Sequence, residues 1–237
     1  MKKIMTSLAC LAMVLVGGLA LTACGGGPKE ETITGAEFVA YIESLETIEF
    51  EGGLKVTMEE SGEGKIIGQA VWGEENAMDF VEYVYAEGEE NPAIVRTFVG
   101  DKAYEHIVAA ETKYVYNRAD DVVVSYSRGT LNMFRGNIKE MLVEETLNEH
   151  VAEDTVVKKV TDGKKVSYSC TVTVDQDGVP VETYMELVFE NGKLVKIASI
   201  GTATVEGQEY LSSMIFEVYT GTITAPEGYV AAPADQD

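Results

Sequence analysis

The feature that most constrains this chain is a side-chain period of two that starts and stops along its length. Ile48, Phe50, Leu54, Val56 and Met58 are apolar, and Glu49, Glu51, Lys55, Thr57 and Glu59 are interleaved with them. Successive side chains of a strand point to opposite faces, so the pattern predicts a long strand with one buried and one acidic face. Turn residues recur at 61–64, 73–76, 88–92, 100–101 and 110–112. Between them lie runs rich in Val, Ile, Phe and Tyr at 66–72, 78–85, 94–99, 103–108 and 114–116. Even spacing of this kind predicts an antiparallel meander. The alternation returns with Val166, Tyr168, Cys170, Val172 and Val174 and continues through 179–189. Asn191-Gly192, a strong hairpin signal, leads into 193–205 and then 210–219.

Two stretches change period. Thr34-Gly35-Ala36-Glu37 fits a capping box, and Phe38, Tyr41, Ile42 and Leu45 follow at helical spacing, predicting a helix over 34–47. Leu131, Phe134, Ile138, Met141 and Leu142 predict a second helix over 130–148, weakened by Gly136. The expected fold is mainly β (α+β): a curved antiparallel sheet of about ten strands with an N-terminal helix and one mid-chain helix. It forms one domain over residues 34–226, followed by an Ala/Pro/Asp tail, 227–237, expected to be disordered.

The N-terminus reads as an address. Lys2 and Lys3 precede an uncharged stretch that ends in Leu21-Thr22-Ala23-Cys24 and three glycines. A basic start, an apolar run and small residues form the pattern of an export signal. Leu-x-Ala-Cys at this place resembles the lipobox of bacterial lipoprotein signal peptides. The resemblance implies cleavage between Ala23 and Cys24, a diacylglyceryl group on the Cys24 thiol, and a signal peptide spanning residues 1–23. More than one acyl chain is what stable anchoring requires. Residues 24–33 read as a flexible tether, and the outer face of the cytoplasmic membrane is the expected location.

With 40 Asp+Glu against 18 Lys+Arg and a net charge of −22, the chain is a poor partner for nucleic acid. Its body as a whole is repelled by anionic headgroups. Three Cys and two His, all far apart, exclude a disulfide scaffold and a zinc finger. There is no Gly-x-Ser-x-Gly, His-Glu-x-x-His or phosphate-loop motif. Asp175-Gln176-Asp177-Gly178 begins like a calcium loop, but Pro180 stands where the template needs Gly, so a β-turn is expected. No catalytic residue, metal or cofactor is assigned, and the chain is not expected to be an enzyme.

A cavity is suggested by area. Ten strands of about eight residues present a face of roughly 1,200 Å², and two helices of about 14 and 19 residues cover roughly 500 Å² of it. The order of elements is similar to that of the half-barrel lipoproteins, the superfamily of the bacterial lipoprotein carrier LolA and its mycobacterial lipid-binding relatives. Gly100-Asp101-Lys102-Ala103-Tyr104 followed by Lys113-Tyr114-Val115-Tyr116, and the ending Glu217-Val218-Tyr219…Ile223-Thr224-Ala225-Pro226, carry the resemblance. It implies a hydrophobic pocket for acyl chains. Phe50, Leu54, Val56, Met58, Val179, Leu187 and Phe189 are the candidate lining residues. The expected partners are the membrane, through the Cys24 anchor, and a hydrophobic small molecule or lipid. The alternative is a non-enzymatic envelope lipoprotein with a closed β core that meets a protein partner. A monomer is expected in either case.

Overall fold

The computed structural model describes residues 27–73, 77–120, 122–176, 179–205 and 207–233. The signal peptide and its cleavage and lipidation residues, Ala23 and Cys24, lie outside the described residues, as do Asp177 and Gly178 of the turn.

The alternating runs assemble into one large, open, curved sheet. Its thirteen described strands run in a single order from edge to edge. β1 (Lys29–Thr34) forms one edge and pairs with β8 (Val156–Asp162), followed by β9 (Lys165–Gln176), β10 (Val179–Glu190), β11 (Lys193–Val205) and β12 (Gln208–Tyr219). There the order returns to the first half of the chain. β12 pairs with β2 (Gly53–Glu60), and β3 (Gly64–Trp72), β4 (Met78–Tyr85), β5 (Ile94–Val99), β6 (Lys102–Ile107) and β7 (Thr112–Asn117) follow as a meander. β13 (Val230–Ala231) adds in parallel to β7 at the far edge. The hairpin between β10 and β11 turns on Asn191 and Gly192, both at positive φ (53° and 79°), as a two-residue primed turn requires.

Several expectations need correction. The sheet has more strands than the ten foreseen, the additions being β1, β8 and β13. Residues 29–33, read as tether, pair with β8 together with Thr34, and the ion pair Lys158–Glu30 (2.9 Å) bridges the two strands together with Lys159–Glu31. Residues 230–231, read as tail, form β13. The long strand expected from Ile48 starts only at Gly53, because Gly52 turns the chain at φ 92°; Phe50 makes an isolated bridge to Leu194. The expected helix over 130–148 is broken. α2 (Arg128–Met133) stops before Gly136, whose φ of 76° is incompatible with a continuing helix. α3 (Lys139–Leu142) then runs through a π-turn, Val143–Leu147, into a last turn at Asn148–His150.

The first helix, α1 (Gly35–Ser44), has its capping box in place: the Glu37 amide donates to Thr34 Oγ1 (3.2 Å) and the Thr34 amide to Glu37 Oε2 (2.9 Å). Gly35 is needed for packing as well, since a Cβ there would lie 2.0 Å from the Ala152 carbonyl oxygen. Phe38 and Ile42 are buried against the inner face of the sheet, where the Phe38 ring stacks on Tyr168 at 5.2 Å. Leu131, Ile138, Leu142 and Leu147 remain inward despite the break in their helix, and Phe134 stacks on Phe216 at 3.7 Å. The helical segments therefore lie along one band of the inner face.

Candidate functional site

Residues directly opposite on antiparallel neighbours share a face, so the registers can be followed as rows across the sheet. One row runs Tyr168, Leu187, Ile197, Phe216, Val56, Gly68, Glu82, Arg96 and Glu105. The next, two residues along each strand, runs Cys170, Met185, Ser199, Met214, Met58, Ile66, Val84, Ile94 and Ile107. The two rows differ in what covers them.

The first row lies under the helices. From β9 to β2 it is apolar and buried, with Leu187, Phe216 and Val56 at 2% exposure or less. From β4 to β6 it carries charge. Glu82 is fully buried, Arg96 nearly so, and the two are joined by Arg96 Nη1 donating to Glu82 Oε1 at 3.1 Å. Arg96 Nε donates to Glu105 Oε2 at 2.9 Å. The other oxygen of Glu82, Oε2, accepts from the amides of Tyr126 (2.9 Å) and Ser127 (2.7 Å) and the hydroxyls of Ser125 (3.0 Å) and Ser127 (2.8 Å). A buried carboxylate is tolerable only with this density of donors. The result is a strap, residues 122–127, pinned across the sheet onto β4. Gly68 makes room for it, since a Cβ there would stand 2.5 Å from Ser127 Oγ.

The second row is largely uncovered between β12 and β4. A hollow of about 530 Å³ is lined by Met58, Ile66, Val84, Tyr126 and Met214, with Glu60 and Glu63 among the polar residues at its rim. A second of about 310 Å³ is lined by Val174, Val181, Met185, Ser199 and Met214, with Thr146 and His150 at one side. They share Ser212 and Met214, so the two adjoin as one open groove. Both volumes fall in the range of small-molecule sites. Three methionines in one row give the groove a soft lining that adapts to ligand shape.

The sequence-selected lining residues divide between the two regions. Met58 lines the groove. Leu54, Val56, Leu187 and Phe189 belong to the packed core beneath the helices, and Phe50 packs against that core at its edge. Val179 is half-buried at the start of β10. Residues not singled out from the sequence include Ile66, Val84, Met185 and Met214 in the groove and Glu82, Arg96 and Glu105 in the charged row. The Glu82–Arg96 signal was legible: each charge occupies an inward position in an apolar alternation, on adjacent strands and with opposite sign.

Reactive chemistry is sparse. Cys170 is buried, and burial pushes its thiol pKa up. Tyr168 is pushed up in the same direction, by burial first and then by Tyr41. Among the described residues no three His, Cys, Asp or Glu side chains are grouped so as to hold a metal ion, and no helix is long and apolar enough to cross a membrane.

No family model matches the chain, and no curated protein matches it. Among solved structures it is similar to the LolA superfamily protein NE2245 from Nitrosomonas europaea, at 9% identity over 80% of this chain and 96% of that one, with a TM-score of 0.22. A score this low carries no argument about shape or site.

Proposed function

We propose that the protein is a lipid-anchored extracytoplasmic lipoprotein whose sheet forms a half-barrel of the LolA kind and binds a hydrophobic ligand, a lipid or an acyl chain. The observation that supports it is the uncovered row through Met58 and Met214. An apolar, methionine-rich band that the helices leave open is the normal character of a small-molecule site and unusual for a plain surface. The lipobox-like Leu21-Thr22-Ala23-Cys24 supports the anchor and the export route.

Native mass spectrometry of the protein purified without detergent tests the ligand. Adducts with acyl-chain masses that disappear in Met58→Asp, with the fold retained, are the expected result. A ligand-free protein that also fails to take up a fluorescent fatty-acid probe overturns the reading. The anchor is tested separately by the mass of the N-terminal peptide from the membrane fraction: a diacylglyceryl adduct on Cys24 is expected, and an unmodified or uncleaved terminus overturns it.

A further inference from the structure

The strap has its polarity reversed. Burial alternates along residues 122–128, so successive side chains take opposite sides. The inward set is Val123, Ser125 and Ser127, two of the three being hydroxyls that donate to Glu82. The outward set is Val122, Val124, Tyr126 and Arg128. Their exposures are 56% for Val122, 64% for Val124 and 59% for Tyr126, and Met133 at the end of α2 adds 64%. The serines are inward because Glu82 needs donors. The Tyr126 ring lies over the Arg96 guanidinium at 5.3 Å, whereas Val122 and Val124 face water.

The charge of the segment is also exceptional. Residues 122–139 contain no Asp or Glu, although the chain holds 40 of them, and include Arg128, Arg135 and Lys139. Arg118 stands close to Arg128, whose positive charge, after burial, helps lower its pKa. Three of the chain's four arginines thus fall within 118–135. At physiological ionic strength the Debye length is about 8 Å, so an anionic surface seated on Tyr126 and Met133 feels the exposed Arg128 and Arg135 most strongly, against Asp120 beside Val122 and Glu60 and Glu63 along the groove.

We infer that the strap and the helix that follows it, through Val122, Val124 and Tyr126 of the one and Arg128 and Met133 of the other, form a docking surface for an anionic lipid bilayer. A few valines and a methionine immersed among acyl chains, with tyrosine and arginine at the headgroups, match the preferences of the membrane interface. The exposed apolar side chains offer roughly 400 Å², about half of the 800 Å² that each partner buries in a stable protein interface. The area suits shallow insertion better than a permanent protein complex. Tyr126 also lines the groove, so docking by the strap brings the groove mouth to the lipid surface. The inference goes beyond ligand binding and holds whether or not the groove is filled.

The described core lies wholly between Ile33 and Ile223, so residues 27–237 carry it intact and can be tested without the N-terminal apolar run. Flotation with vesicles of about 30% phosphatidylglycerol in phosphatidylcholine should carry the protein upward, and pure phosphatidylcholine should carry much less. Val124→Asp should weaken binding about tenfold or more, and Arg128→Glu several-fold on the anionic vesicles only. Val156→Asp, on the distant strand β8 and 70% exposed, should change nothing. Thermal melts establish that each variant is folded. No flotation of the unsubstituted protein, equal loss for Val124→Asp and Val156→Asp, or capture of a protein through the strap with vesicles ignored overturns the inference.

Discussion

The row through Val56 and the row through Met58 lie two residues apart on the same strands, yet they meet different neighbours. The first is roofed by α1, α2, α3 and the strap. Under that roof every side chain is either packed, as Phe216 is against Phe134, or fully paired, as Glu82 is with Arg96 and the strap serines. The second row has no such roof between β12 and β4 and so keeps Met214 at 37% exposure. Alternation along a strand decides which face a residue joins. Whether that position becomes core or site depends on the length and placement of the segment that crosses it. Here the helical segments are short: α2 has six residues and α3 has four.

Breaking the roofed row should cost most. Arg96→Ala leaves a fully buried carboxylate without its cation and should destabilise the fold by about 3–5 kcal/mol in urea unfolding. A loss under about 1 kcal/mol would mean that Glu82 finds another counter-charge. Replacing both members, Glu82→Leu with Arg96→Met, should recover much of that loss in the sheet while freeing the strap, because the buried charges and the strap's anchor disappear together. Phe216→Ala, which removes the partner of Phe134, should cost about 3–5 kcal/mol.

The same contrast explains what the sequence reveals. The inward sides of β2 to β6 and β9 to β12 are legible because each is an unbroken alternation, and the groove residues Met58 and Met214 lie within it. The edge strand β1 is not, because Lys29, Glu30 and Glu31 keep its exposed backbone soluble and only Ile33 joins the core. Charges at an edge serve to block further pairing, and they erase the pattern by which a strand is recognised. β8 is masked in the same way by Lys158 and Lys159. The break at Gly136 was visible as a weakness, but inward spacing survives across it, so periodicity alone cannot separate one helix from two. The division of the lining residues was beyond reach because Leu54, Val56 and Met58 share one alternation. Only the crossing helices distinguish them.

The strap offers an intermediate test of the comparison. Gly68 lies in the roofed row, and an added Cβ would press on Ser127 Oγ at 2.5 Å and Ser127 Cβ at 2.8 Å. Gly68→Ala should therefore lift the strap without removing any charge, at a cost of about 1–3 kcal/mol. Amide exchange at Tyr126 and Ser127 should quicken in this variant while exchange in β9 and β10 stays slow. Unchanged exchange at both amides would show that the strap is held by more than its bonds to Glu82.

Substitutions in the open row should have the smallest effect on stability and the clearest effect on binding. Met214→Ala removes a side chain already more than one-third exposed, so unfolding should shift by less than about 1 kcal/mol. Met58→Ala, which is half-buried beside it on β2, should cost little more. If the groove holds an apolar ligand, each methyl-thioether contributes contact area that water replaces on truncation, and uptake of a fluorescent fatty-acid probe should weaken several-fold in each variant. The two residues face each other across β12 and β2, so the losses should not simply add: once one methionine is gone, the other can lean into the vacated space. Equal stability loss for Met214→Ala and Phe216→Ala would erase the distinction between the rows, since it would mean the open row is packed as tightly as the roofed one.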